Sequence, residues 1–144
     1  MSNDPQARKA DLMKAAKEAQ ANAHSPHSNF KVGAAVLLDD GSIIKGCNVE
    51  NASYGLTCCA ERVAIFSAVA LHGPEVKLKA IAVSVLPDPA LSPGTPTPSE
   101  RSPCGACRQV MAEFMDDATP VFVDGPTPQY TVGQLLPDAF RIKR

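Results

Sequence analysis

The chain has no long apolar run: nothing in it approaches the ~20 consecutive apolar residues of a membrane span, and the first stretch, Met1 to Gln6, is polar, without the apolar core of a secretory leader. An excess of charge of one sign is missing too. Fourteen basic against 15 acidic residues leave a net charge of −1, so there is no basic footprint for nucleic acid and none for an anionic membrane surface. Such a balance suits a small neutral ligand. The cysteines make no disulfide framework, because there are five of them, an odd number, and four fall in two tight clusters. A reducing compartment, the cytosol, is the expected home. A single domain over residues 1–144 is expected, since 144 residues with 44% hydrophobic content suffice for one core.

Against these absences stand two clusters. One is Cys58-Cys59-Ala60-Glu61-Arg62; the other is Ser102-Pro103-Cys104-Gly105-Ala106-Cys107-Arg108, whose Cys104 follows Cys59 by 45 positions. A C-x-x-C alone is a weak signal, a redox pair or part of a structural zinc site. The combination says more. Thiolates from Cys59, Cys104 and Cys107 can hold one zinc ion tetrahedrally and leave the fourth position to water, the layout of a catalytic site. Glu61, two residues from Cys59, can shuttle protons beside that water without binding the metal. Cys58 cannot easily share the ion with its neighbour and reads as a buried small hydrophobe. His24 and His27 read as solvated loop residues, and His72 as a helix end.

The elements follow from periodicity and punctuation. Pro5 to Ala23 reads as a helix with a small-residue stripe of Leu12, Ala15, Ala16 and Ala19. Phe30–Leu38 and Ile43–Val49 flank the turn Asp39-Asp40-Gly41-Ser42 and form an antiparallel hairpin. In an extended segment Asn48 and Glu50 share a face, where amide and carboxylate suit a sugar hydroxyl or cap the next turn. Cys59 to Leu71 is a helix stopped by Gly73-Pro74. It packs through Val63, Phe66 and Ala70, with Ala64 and Ser67, and aims its N-terminus, with its favourable dipole, at the metal. Leu78–Leu86 is a central strand, apolar on both faces. Pro87 to Arg101 holds five of the 13 prolines and is read as an irregular excursion. It either shields the site or is a neutral surface loop. Pro103 to Met115 is the second ligand helix, with Pro103 at its first position and Val110, Met111 and Phe114 running on toward the core. Pro120–Val123, a turn over Asp124–Pro128 and a short return strand Gln129–Thr131 make an antiparallel pair, because so short a link forbids a parallel crossover. Val132–Leu136 is a last short helix.

The Cys-Ala-Glu and Pro-Cys-x-x-Cys pair resembles the zinc-dependent nucleoside and nucleobase deaminases. Phe30-Lys31-Val32-Gly33-Ala34-Ala35, Gly46-Cys47-Asn48-Val49-Glu50-Asn51-Ala52 and Leu135-Leu136-Pro137-Asp138-Ala139-Phe140 narrow the likeness to the small homotetrameric cytidine deaminases, from about Ala23 to Phe140. The resemblance implies an α/β, three-layer fold: a five-stranded mixed sheet with an antiparallel last strand pair and helices on both faces. That antiparallel pair is similar to the free-nucleoside enzymes rather than the polynucleotide editors. The resemblance further implies one Zn²⁺ per subunit and hydrolysis of cytidine and 2′-deoxycytidine in pyrimidine salvage, with Glu61 carrying protons to ring N3 and to the departing amine. Asn48 and Glu50 then grip the ribose 3′-hydroxyl, Phe30 flanks sugar and base, and the Ala60 N–H meets the ring carbonyl. Ala52 and Tyr54 belong to a site-lining segment near a subunit boundary, and Phe140 reaches a neighbouring subunit's site. Arg62 hydrogen-bonds ligand sulfurs and offsets their charge; otherwise it is a surface helix arginine. The expected partners are a small nucleoside and further copies of the chain, not nucleic acid or membrane.

Three other readings stand beside this one. Blasticidin-type deaminases share C-A-E and P-C-G-x-C-R-Q, but Asn48-Val49-Glu50-Asn51 differs from their ribose segment. A non-catalytic zinc-stabilised binding module needs a fourth protein ligand, from Cys47 or a histidine. A thiol oxidoreductase built on Cys104-Gly105-Ala106-Cys107 leaves Cys59 and Glu61 without a task.

Overall fold

The computed structural model describes residues 3–125 and 129–143. The expected turn over Asp124–Pro128 therefore falls partly on 126–128, outside the described residues. Helix α1 (Lys9–Gln20) precedes a hairpin of β1 (Lys31–Leu38) and β2 (Ile43–Cys47). Helix α2 (Ala60–His72) leads to β3 (Leu78–Leu86), followed by the short helix α3 (Pro98–Arg101) and α4 (Gly105–Phe114). Strands β4 (Pro120–Val123) and β5 (Tyr130–Thr131) and helix α5 (Val132–Leu135) follow. The sheet order is β2-β1-β3-β4-β5. β1 runs antiparallel to both β2 and β3, β3 and β4 are parallel, and β4 and β5 are antiparallel, as the short link required.

The alternation along β1 and β3 sorts the core into two layers. Ala35, Leu37, Ala80, Ala82 and Phe122 pack with Leu12 and Ala16 of α1. Ala34, Val36, Ile81, Val83 and Val85 face α2 and α4 on the other side, through Ala64, Ile65, Ala68, Cys107 and Met111. The result is the three-layer arrangement with helices on both faces. β3 is its central strand, with only Lys79 and Leu86 exposed.

Two glycines let the layers close. A Cβ on Gly33 would lie 1.8 Å from the Ala16 carbonyl oxygen, and one on Gly46 would lie 2.3 Å from the Ala64 nitrogen. Helix backbones therefore rest almost directly on β1 and β2. This also corrects the expected inner face of α2. Ala64, Ile65 and Ala68 turn inward, whereas Phe66 and Ala70 are exposed. A helix this close to a strand has room for alanine and not for phenylalanine.

Other boundaries shift by a turn. Residues 5–8 form turns ahead of α1 because the Arg8 side chain folds inward, donating to the Gly41 carbonyl at 2.9 Å and to Asp11 at 2.9 Å. Residues 98–101 are helical rather than irregular: Thr97 and Glu100 form a capping box and Pro98 opens the turn. Pro103 lies outside its helix, one residue before the N-cap Cys104. Among the described residues no helix is long and apolar enough to cross a membrane.

Candidate metal centre and active site

The two cysteine clusters meet at two helix starts. Cys59 is the N-cap of α2 and Cys104 the N-cap of α4, with Cys107 in the first turn of α4. The Cys104 sulfur accepts the Cys107 backbone N–H, so this thiol serves as the helix cap. The Sγ atoms of Cys59 and Cys104 are 3.7 Å apart, those of Cys104 and Cys107 3.3 Å, and all three lie within 4.8 Å of one another. A tetrahedral zinc with ~2.3 Å bonds to sulfur separates its sulfurs by about 3.8 Å. The donor set and its spacing fit that ion. Two helix dipoles add positive potential at the same point. Among the described residues the cluster contains these three side chains only. Cys47 and the histidines stand outside it, which removes the fourth ligand that a closed structural site needs. Cys58 is half-buried rather than buried; its backbone pairs with Val49, and desolvation pushes its thiol up.

Proton affinity differs between Cys59 and Cys107. Hydrogen bonding from Cys107, and then from Arg62 and Cys104, brings the Cys59 thiol down to about 5 despite its burial. The same contact with Cys59, together with burial, pushes the Cys107 thiol up. Arg62 therefore is no surface arginine: its Nη2 lies 3.3 Å from the Cys59 sulfur. Its Nε is buried without a hydrogen-bond partner among the described residues, and the Cys59 sulfur strengthens its hold on its proton. Glu61 sits beside the cluster without joining it. Only 4% exposed, its carboxyl is pushed by burial up to about 7, the range of a group that both takes and gives protons near neutral pH.

Cys59, Glu61 and Cys104 line a cavity of about 380 Å³, large enough for a small organic ligand. It brings together Phe30, Asn48, Glu50, Cys59, Ala60, Glu61 and Cys104. Asn48 and Glu50 do share this space, and they are pinned by the loop before β1 and the start of that strand. Asn48 accepts the Val32 N–H at 2.9 Å and donates to the Phe30 carbonyl at 2.7 Å. Glu50 accepts the backbone N–H groups of His27 at 2.9 Å and Ser28 at 3.2 Å, and the Ser28 hydroxyl. The capping use of these side chains and their place in the cavity coexist. Ala52, Tyr54 and Phe140 are not brought to the cavity of a single chain. Tyr54 is 75% exposed in a T-shaped contact with the His27 ring, and Phe140 is 70% exposed, its carbonyl bonded by Gln109.

Two arginines escaped the sequence reading. Arg108 donates to the Pro103 carbonyl at 2.8 Å, the Leu135 carbonyl at 2.7 Å and the Ser102 hydroxyl at 2.7 Å, shaping the approach to Cys104. Its position one residue after Cys107 was the available signal. Arg101 lines the cavity from α3, and its proline-rich surroundings hid it.

A three-thiol metal cluster with an unligated, buried carboxyl beside it and a ligand-sized cavity in front defines a zinc-dependent hydrolytic enzyme. The cytidine and deoxycytidylate deaminase zinc-binding region matches residues 6–123, and the chain belongs to that family. It is 46% identical over 132 residues to a cytidine deaminase of Halalkalibacterium halodurans, covering 90% of this chain and 91% of that one. It is 40% identical over 125 residues to one from Mycobacterium tuberculosis, covering 87% and 84%. The 1.6 Å crystal structure of cytidine deaminase from Burkholderia pseudomallei superposes with a TM-score of 0.77 at 46% identity, covering 91% of this chain and 98% of that one.

Proposed function

We propose that the chain hydrolyses cytidine and 2′-deoxycytidine to uridine and 2′-deoxyuridine, releasing ammonia, in pyrimidine salvage in the cytoplasm. The observation that carries this is the buried carboxyl of Glu61 next to three thiols within 4.8 Å of one another. Cys59, Cys104 and Cys107 would hold the ion. When bound, zinc supplies the Lewis acidity that makes water a nucleophile near neutral pH. Glu61 accepts one proton from the water that adds to ring C4 and delivers it to N3; it then carries the remaining hydroxyl proton to the 4-amino nitrogen, whose bond to C4 breaks to release ammonia. Its burial keeps bulk water from competing for those protons.

The other roles follow the walls of the cavity. Asn48 and Glu50, fixed by the segment 27–32, hold the sugar 3′-hydroxyl by one donor and one acceptor. Phe30 flanks sugar and base, and the Ala60 N–H, at the start of α2, holds the ring carbonyl. Arg62 withdraws charge from the Cys59 sulfur and offsets the three thiolates' donation to the metal. Ala52, Tyr54 and Phe140 complete the site across subunit boundaries of a homotetramer, which accounts for two large aromatics that stand exposed and away from the cavity of their own chain. One domain spans residues 1–144. The test is the loss of cytidine absorbance with purified protein, with and without a zinc chelator. Turnover abolished by chelation and restored by zinc is expected; no turnover with full zinc rejects the assignment.

A further inference from the structure

Arg101 is a cation in a place where a cation is costly. Its side chain is 8% exposed, and such burial is tolerated only with good partners. It has them. Nη1 donates to the Asp124 carboxylate at 2.9 Å and to the Asp124 carbonyl at 2.8 Å, and Nε donates to the Pro96 carbonyl at 3.0 Å. The other Asp124 carboxylate oxygen accepts the Ser84 hydroxyl at 2.6 Å, and Ser84 in turn accepts from Gln20 at 3.2 Å. One polar chain thus runs from the end of α1, through β3, to the end of β4 and on to α3. Gly125 completes the seat: it has φ +74, and a Cβ there would lie 2.2 Å from the Arg101 guanidinium. The turn that carries Arg101 is stiffened by its capping box and by the Ser92 hydroxyl on Glu100 at 2.5 Å.

That anchored turn is also a wall of the cavity. Glu100, Arg101 and Ser102 line it, and Ser102 is two residues before Cys104. The excursion after β3 spans residues 87–97 without helix or strand. Without the ion pair, the wall would hang from that segment on one side and from the Arg108 contacts on the other.

We propose that Arg101 is a positioning residue for the nucleoside: its bond to Asp124 fixes the α3 wall of the cavity against the sheet. This rests on the nucleoside-deaminase reading above. The metal ligands and Glu61 lie on α2 and α4, so loosening the wall weakens substrate binding more than it slows chemistry. The test is steady-state kinetics on cytidine with the zinc-loaded protein, comparing wild type with Arg101→Ala, Arg101→Lys and Asp124→Asn at measured zinc content. In Arg101→Ala, KM rises about tenfold while kcat changes less than about threefold, as expected when binding shared by ground and transition states is lost. Amide hydrogen exchange at residues 97–102 accelerates in the same variant, and Arg101→Lys recovers most of both effects. An unchanged KM at full zinc occupancy overturns the proposal, as does a lysine variant no better than alanine. Should Arg101→Ala fail to fold, Asp124→Asn is judged by the same two readouts. If wild type turns over no cytidine, the functional reading falls, while exchange at 97–102 still decides whether Arg101 fixes the wall.

Discussion

Replacing Glu61 with alanine leaves the three thiols and their helix starts in place, so zinc should stay while the proposed proton carrier is gone. Turnover should fall by at least ~10²-fold with unchanged metal content; an ammonia-release assay beside a metal assay checks both halves. Cys104→Ala does the reverse. It removes a ligand and the cap of α4 together, so zinc occupancy should drop along with activity. Arg62→Gln should retain zinc and slow the reaction, because the guanidinium 3.3 Å from the Cys59 sulfur is lost; unchanged kinetics would remove Arg62 from the mechanism. At this scale the sequence was informative wherever chemistry demands a residue type at a fixed spacing. The three cysteines, Glu61 and Arg62 were legible for that reason. Arg101 was not, because its partner Asp124 is 23 residues away and no local pattern pairs them.

Among the elements, residues 27 and 28 ahead of β1 are both held by the Glu50 carboxylate. Burial opposes the charged form of Glu50, yet the hydrogen bonds from Ser28 and from the backbone N–H groups of His27 and Ser28 together hold its carboxyl below the usual glutamate value. A depressed folded-state pKa gives stability that is present above the unfolded value, about 4.3, and lost as pH falls through the folded one. Protection of the 27 and 28 amides should therefore fade below about pH 4 and be absent already at neutral pH in Glu50→Ala, as read by hydrogen exchange. Gly33→Ala tests the packing of α1: with backbone 1.8 Å from the new Cβ, the helix must shift, and destabilisation of about 3 kcal/mol is expected from denaturant midpoints. Strand identity was legible throughout, since alternation and β-branched content survive into the folded sheet. Helix ends and the inner face of α2 were not. They depend on how closely Gly46 lets that helix approach, a property of two segments jointly.

For the whole molecule, the exposed aromatics Tyr54 and Phe140 decide between a self-sufficient chain and an assembly. Phe140→Ala should raise KM for cytidine while leaving zinc content intact, and sedimentation should give a mass near four chains. A monomer with full activity would refute the shared-site arrangement. The topology was legible because a link as short as that between β4 and β5 leaves one choice of direction. Quaternary contacts leave no such trace in one chain, where an interface residue and a stray exposed aromatic look alike.

The sulfurs stand at the heads of α2 and α4, and the central strand β3 lies between those helices in sequence. Neither half of the polypeptide can clasp the ion by itself, since Cys59 belongs to one and Cys104 with Cys107 to the other. Full three-sulfur coordination thus requires both helices to be assembled on the sheet, so tight zinc uptake should report correct assembly.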